Sequence, residues 1–127
     1  GNQILDKILP DLIKMLQSED SAENALAALR KIISTKGSVV FPIIMPTLLT
    51  PPMTISNARS LGALAAVAGH ALVKRLEQII DTLVDAVINA KDEESKTVFS
   101  SSLDTVILSI VVFLVVFFIF GYSHLIY

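Results

Sequence analysis

The sequence contains no cysteine and only two histidines, and these shortages exclude several kinds of site. Without cysteine there is no disulfide, no thiol nucleophile and no cysteine-rich metal centre. His70 and His124 lie far apart, with no carboxylate at ligand spacing, so we expect no metal site. Three serines at positions 100–102 lack an accompanying histidine and acid, and Gly62 and Gly69 form no phosphate-binding glycine motif. We therefore expect neither an enzyme nor a cofactor.

Charged residues are also scarce, and they are unevenly placed. They make up 17% of the chain, whereas a typical soluble domain has about 25%. The net charge of −2 provides no basic face for general nucleic-acid binding. Eleven of the twelve acids and all ten bases lie in residues 1–96. The remainder of the chain is therefore expected either to be surrounded by a different solvent from residues 1–96 or to have a different origin.

The amino terminus lacks the features of a targeting segment. It has no basic region followed by an apolar one, as a signal peptide would, and it does not begin with methionine. We therefore expect the chain to be a piece of a longer protein.

What the sequence does contain is an internal repeat of apolar helices. The segment that starts at Pro10 resembles the one that starts at Pro46, 36 residues later, and Ala28-Leu29 recurs as Ala63-Leu64 after 35. A period of this length, carried by paired apolar helices, is typical of α-solenoids and of HEAT repeats in particular. We predict an all-α fold of HEAT-type helix pairs in a right-handed superhelix, with about two and a half repeats. The array is predicted to occupy residues 1–104, followed by a hydrophobic segment at residues 105–127.

The positions of apolar residues and of helix-ending residues divide the array into helices. Asp20 and Glu23 are placed as a capping box for the second helix, and Gly37 is predicted to end it in the left-handed conformation. Thr54 or Ser56 is expected to cap the fourth helix, which is apolar on nearly every face and so should be sandwiched between neighbours. The predicted helices cover residues 2–17, 22–35, 38–49, 56–68 and 70–89, with a charged loop at 90–96 and a further helix from 97 onward.

Three segments carry a resemblance to a known family. They are SVVFPIIMPTLLTPP at residues 38–52, ARSLGALAAVAGHALVKRL at residues 58–76, and IIDTLVDAV at residues 79–87. Together they resemble the carboxyl-terminal HEAT array of the general-control-nonderepressible translational activator. The resemblance covers roughly residues 8–110 and is absent from the apolar residues that follow.

The resemblance implies a scaffold function. Members of this family are very large cytoplasmic proteins that bind ribosomes and the RWD domain of the amino-acid-sensing kinase of initiation factor two, and so activate that kinase. The partners implied for this chain are therefore the ribosome, the RWD domain and other helical repeats of the same array. We select the cations Arg59, Lys74 and Arg75 as candidate partner-binding residues, against the simpler interpretation that they lie on a solvated helix face.

The carboxyl-terminal segment leaves three alternatives open. From Thr105 to Tyr127 there are 23 residues without Asp, Glu, Lys or Arg, which is long enough for a helix to cross a membrane. It could therefore anchor a membrane-tethered helical adaptor, although no cluster of Lys or Arg flanks it in the sequence. It could also be a core helix of the array, or a segment foreign to the scaffold, such as a translated intron.

Overall fold

The structure is a computed structural model that describes residues 2–126, with side chains from residue 3 to residue 121. Its five helices are α1 (Asn2–Leu16), α2 (Ala22–Leu49), α3 (Ile55–Ala68), α4 (His70–Ile88) and α5 (Glu93–Ile126). Within the described residues there is no strand. The predicted all-α fold is confirmed.

Helix α2 consists of two arms, residues 22–35 and residues 37–49, that meet at Lys36. The backbone angles of Lys36 (φ −127°, ψ 32°) are non-helical, and the helix is kinked there. Pro42 and Pro46 both lie inside the second arm, and neither has non-helical backbone angles. The two separate helices predicted from the sequence are thus present, and they adjoin directly.

The two arms of α2 run in opposite directions alongside α3. The start of α2 lies near the start of α3, because the Ser56 hydroxyl donates a hydrogen bond to the Leu16 carbonyl oxygen (3.2 Å) just before α2 begins. The end of α2 leads into α3 through residues 50–54. The middle of α2, in contrast, lies at the other end of α3, where a Cβ atom on Gly37 would be 3.3 Å from the Ala68 carbonyl oxygen. The kink is therefore a reversal that creates an antiparallel helix pair.

The prediction that Gly37 is left-handed is wrong. Among the described residues, the glycine with a positive φ is Gly69 (φ 57°), which ends α3 and is the single residue between α3 and α4. Gly37 serves instead to let α2 approach the Ala68 carbonyl oxygen closely, since a side chain there would meet backbone.

Two of the predicted helix starts need correction, and one is confirmed. Thr54 caps α3 by accepting a hydrogen bond from the Asn57 amide (3.0 Å), as predicted. The predicted capping box before α2 is absent, because the N-cap is Ser21, whose hydroxyl donates to the Met15 carbonyl oxygen (2.9 Å). α5 starts four residues earlier than predicted, because the Asp92 carboxylate accepts a hydrogen bond from the Ser95 amide (2.7 Å) and so caps it.

Helices α3 and α5 lie side by side and run in the same direction. A Cβ atom on Gly62 would contact Thr105 (3.6 Å), and one on Gly69 would contact the Phe113 ring (3.7 Å). Residues 62 to 69 of α3 thus lie beside residues 105 to 113 of α5. The second arm of α2 and α4 form the neighbouring layer, and α3 is packed against α2, α4 and α5. Parallel helices in each of two layers are the arrangement expected of stacked helix pairs.

The core lies between these two layers and is built from leucine, isoleucine and small residues. Leu64 and most of its neighbours in α3 are buried, so the predicted sandwiched helix is confirmed. On α4 the apolar side chain of Val84 is 36% exposed and does not belong to this core. The fully buried large side chains are Leu16, Leu29, Ile33, Phe41, Ile44, Met45, Leu48, Leu61, Leu64, Leu72, Ile79 and Leu83.

The last part of α5 extends beyond the rest of the molecule. Among the side chains described, which end at residue 121, Ile110 is the last buried one in α5. Phe113 is half-buried beside Gly69, and every side chain from Leu114 to Phe120 is exposed. α2 and α5 are both long and apolar enough to cross a membrane, but core helices pass the same criterion, and much of α2 is buried. α5 continues without a break across residues 104 and 105, so the domain division at that point stays a prediction.

Candidate partner-binding surface

The structure brings two of the three candidate cations together. Lys74 and Arg75 lie one turn into α4; Lys74 is exposed, whereas Arg75 is half-buried rather than fully exposed as expected. Arg59 is exposed in the second turn of α3. At 1.5 Å per residue it lies about 14 Å along the helix from Ala68, the end of α3 that adjoins α4. Arg59 therefore does not belong to the same site.

Lys74 and Arg75 line a groove between the second arm of α2 and the first turns of α4. Its volume is about 360 Å³, and Ser38, Pro42, His70 and Ala71 complete its lining. The i, i+4 spacing of Ser38 with Pro42, and of His70 with Lys74, places these side chains along the facing sides of two helices. A groove with two cations, a hydroxyl and an imidazole has the hydrogen-bond donors that bind a carboxylate or a phosphate.

Further along α4 the charge changes sign. Glu77, Asp81 and Asp85 are exposed and follow one another at intervals of four residues, which places like charges next to each other on one face. In an isolated helix each such pair is destabilising by about 0.2–0.5 kcal/mol. Negative charge near the carboxyl end of a helix and positive charge near its start also oppose the helix dipole. Helix stability therefore does not account for the arrangement of charges on α4.

The same separation of charge extends over most of the molecule. Residues 24–76 contain six bases and no acid, whereas residues 77–104 contain seven acids and two bases. Five of those six bases lie near the end of the molecule where α2 reverses and α3 meets α4. We call this the basic end, and it comprises Arg30, Lys31, Lys36, Lys74 and Arg75. The opposite end carries acids, among them Glu19, Asp20 and Asp92 in its loops and Glu93 and Glu94 in the first turn of α5.

A second and larger cavity lies at that opposite end. Its volume is about 510 Å³, and it is lined by the cis-linked Pro51 and Pro52, by Asp85 and Asp92, by Lys91, and by apolar and neutral polar side chains. In the part of the chain whose side chains are described, no three His, Cys, Asp or Glu residues lie close enough to hold a metal ion.

The other residues with potentially reactive side chains have structural positions. His70 is the first residue of α4, and its ring lies 6.4 Å from that of Phe113. Ser102 is buried in α5, where its Cα would be 3.7 Å from a Cβ atom on Gly62. The side chain of His124 lies outside the described residues.

Comparison with known proteins identifies the family. The profile described as "Stalled ribosome sensor GCN1-like, HEAT repeats" matches residues 40–116. The chain belongs to this family. The match includes most of the second arm of α2, all of α4 and most of α5, and the predicted HEAT-type fold and family resemblance are thereby confirmed.

Individual relatives agree with that assignment. The chain is 48% identical over 111 residues to "eIF-2-alpha kinase activator GCN1" of Saccharomyces cerevisiae, which is 87% of this chain and 4% of that protein. It is 36% identical over 110 residues to "Stalled ribosome sensor GCN1" of Homo sapiens, again 87% of this chain and 4% of the relative. It is 34% identical over 92 residues to "Protein ILITYHIA" of Arabidopsis thaliana, or 72% of this chain and 3% of that one. No solved structure matches the chain.

The chain therefore corresponds to a short section of very long relatives. It is a HEAT-repeat segment of a family whose named members act in translational control, as kinase activators and stalled-ribosome sensors.

Sequence reasoning found two groove residues and missed the other side of the groove. Ser38 and Pro42, on the second arm of α2, are not predicted as site residues from the sequence, and His70 is considered there only as a metal ligand. Their contribution depends on the two helices lying side by side, which the sequence does not specify. The absence of acids from residues 24–76 is the sequence signal that could have pointed to the basic end.

Proposed function

We propose that this chain is a non-catalytic HEAT-repeat scaffold segment of a cytoplasmic translational-control protein, and that it binds the ribosome and the RWD domain of the initiation-factor-two-alpha kinase. The observation that carries the proposal is the family match over residues 40–116, together with the functions given in the names of the relatives. The scaffold interpretation is also supported by the core, which is continuous between the two layers and has no buried side-chain nitrogen or oxygen atom without a partner among the described residues.

The groove at Lys74 and Arg75 is proposed as the contact surface. Arg75 is half-buried and lines the groove between α4 and the second arm of α2, so its side chain has less freedom than one in open solvent. A preorganised cation loses less conformational entropy when it binds a carboxylate or phosphate of the partner. Arg59 is proposed as a separate contact on α3, because it is too distant to line the groove.

The test is binding by the full chain, measured as co-sedimentation with ribosomes and as capture by the purified RWD domain. The double variant Lys74→Glu, Arg75→Glu should bind about tenfold more weakly or worse, because it reverses the charge of the groove. Lys91→Glu, Lys96→Glu is the matched control, since it changes the net charge equally at the opposite end. Equal binding by both variants, with unchanged helical circular dichroism, would contradict the proposed surface.

A second candidate function is a membrane-tethered helical adaptor. The observation that favours it is the exposed and wholly apolar stretch from Leu114 to Phe120 in α5, which the core of the array does not cover.

A further inference from the structure

We infer that the projecting end of α5 inserts into a lipid bilayer with anionic headgroups, and that the basic end of the array rests on those headgroups. This inference rests on the second proposed function, the membrane-tethered adaptor. Its basis is the position in space of three features that are separate in the sequence, namely the apolar end of α5, the reversal of α2 and the start of α4.

The first observation concerns the faces of α5. In residues 93–104 the exposed positions are polar, among them Glu93, Lys96, Ser101 and Asp104, which is the pattern of a helix with one solvated side. From Leu114 to Phe120 every residue is both apolar and exposed, so that all sides of the helix are apolar. α3 is also apolar on nearly every face, but it is buried between neighbouring helices, whereas residues 114–120 are exposed, as a helix that enters hydrocarbon would be.

The second observation is where this helix leaves the array. α5 passes the junction of α3 and α4 at Phe113, whose ring lies 6.4 Å from that of His70 and stacks on Phe117 at 6.0 Å. The junction also adjoins the reversal of α2, because a Cβ atom on Gly37 would lie 3.8 Å from that of Ala71. The apolar helix therefore emerges at the basic end, beside the junction of α3 and α4, which separates it from the reversal of α2.

The third observation is the charge around that exit. Lys74 and Arg75 lie within about two turns of the α3–α4 junction that α5 passes, and Arg30, Lys31 and Lys36 lie within about two turns of the adjoining reversal of α2. No acid occurs between Glu23 and Glu77. At the same end, Asp6 and Lys7 in the first turns of α1 cancel each other. Cations beside an inserted helix are attracted to anionic lipids. No cluster of cations flanks the apolar segment in the linear sequence, but folding brings cations from α2 and α4 to the end of the molecule where this segment emerges.

The length of the projecting helix sets how far it can enter. The thirteen residues after Phe113 that belong to α5 extend about 20 Å. The hydrocarbon core of a bilayer is about 30 Å thick, so the helix reaches beyond the midplane while the array stays in water. We therefore expect the end of α5 to insert into the bilayer from the basic end, to a depth that a probe at residue 120 can measure.

The experiment uses the full chain, synthesised in a cell-free system with vesicles present and then floated on a density gradient. Vesicles of phosphatidylcholine with about one-third phosphatidylserine are compared with pure phosphatidylcholine. We expect flotation with the anionic vesicles, and we expect it to resist salt of about 1 M, where the Debye length is only about 3 Å, because the helix is inserted. No flotation with either vesicle overturns the inference.

Two pairs of variants separate the apolar and basic contributions. Val116→Asp, Phe120→Asp should abolish flotation, whereas Ile4→Asp, Ile88→Asp should not, although Ile4 (69%) and Ile88 (73%) are as exposed as Phe120 (70%). Lys31→Glu, Lys36→Glu should weaken binding to anionic vesicles about tenfold or more, and Lys91→Glu, Lys96→Glu should leave it unchanged. Equal effects within either pair overturn the assignment to this end of the molecule.

Depth is measured with a single tryptophan, which is possible because the chain has none. In Phe120→Trp, the emission should shift to the blue when vesicles are added, and a lipid label near the midplane should quench it more than a label at the headgroup. A blue shift without vesicles, together with a larger size in gel filtration, would mean that a protein surface covers the helix and would overturn the inference. Ribosome co-sedimentation of the same samples shows separately whether the scaffold function holds.

Discussion

At the scale of single residues, Gly37 and Gly62 differ in which atoms an added methyl group would contact. A Cβ atom on Gly62 would lie 3.6 Å from Thr105 and 3.7 Å from Ser102, both ordinary van der Waals distances. One on Gly37 would lie 3.3 Å from the Ala68 carbonyl oxygen, which is backbone and cannot rotate away. The glycine needed for packing is therefore Gly37, although the sequence suggested a conformational reason for it.

This difference predicts opposite outcomes for the same substitution. Gly62→Ala should raise the free energy of unfolding by up to about 1 kcal/mol, because alanine favours the helix by that amount. Gly37→Ala gains the same helix propensity, but its methyl group forces the Ala68 carbonyl group to move. The Gly37→Ala protein should therefore be less stable than the Gly62→Ala protein by about 1 kcal/mol or more. Thermal unfolding followed by circular dichroism measures both. A higher melting temperature for Gly37→Ala than for Gly62→Ala would contradict the packing described.

At the scale of helices, the start of α5 depends on one side chain. The Asp92 carboxylate accepts hydrogen bonds from Ser95, and these lower the pKa of Asp92 below its ordinary value. Because the folded pKa is the lower one, the cap contributes stability that is present above the unfolded pKa of about 4 and is lost as pH falls through the folded pKa.

The cap therefore predicts a pH-dependent difference between two proteins. At pH 7, Asp92→Ala should be less stable than the parent chain, since the Ser95 amide loses its acceptor. Below about pH 4 the difference should shrink, because the protonated carboxyl accepts this bond more weakly. Urea unfolding at both pH values measures it, with Asp104→Ala, an exposed acid further along α5, as the control. A difference that stays constant with pH would contradict the role of the charged carboxylate.

Most of the helices could be predicted from sequence, and the errors have identifiable physical causes. Apolar periodicity located the helices because it reflects which face is buried, and Thr54 was found because its hydroxyl acts locally. The start of α5 was missed because charged residues near Asp92 were interpreted as a loop, although acids are favoured in the first turn of a helix. The groove could not be predicted, because it depends on the spacing between the second arm of α2 and α4.

At the scale of the whole molecule, α3 couples the two layers. Leu64 is completely buried in α3, which packs against α2, α4 and α5, so a charge there would disturb all of them. Leu64→Asp should remove at least about 3 kcal/mol of stability and unfold the chain in one cooperative step.

The control for this prediction is Ala66→Asp, two residues further along α3, where the side chain is exposed. It should melt within a few degrees of the parent chain, because a surface substitution usually changes stability by about 0.5 kcal/mol or less. Circular dichroism melting of both variants is the measurement. A Leu64→Asp protein that keeps its full helical signal and melts like Ala66→Asp would show that Leu64 is outside the core.

The lengths of the connections have a mechanical consequence. At the basic end the helices join through Lys36 and Gly69 alone, whereas at the opposite end the connections are residues 17–21, 50–54 and 89–92. Short connections between helices resist deformation and longer ones permit it. The basic end should therefore be stiff and the opposite end flexible. We therefore expect that when the array is bent, its helices separate at the opposite end and pivot about Lys36 and Gly69.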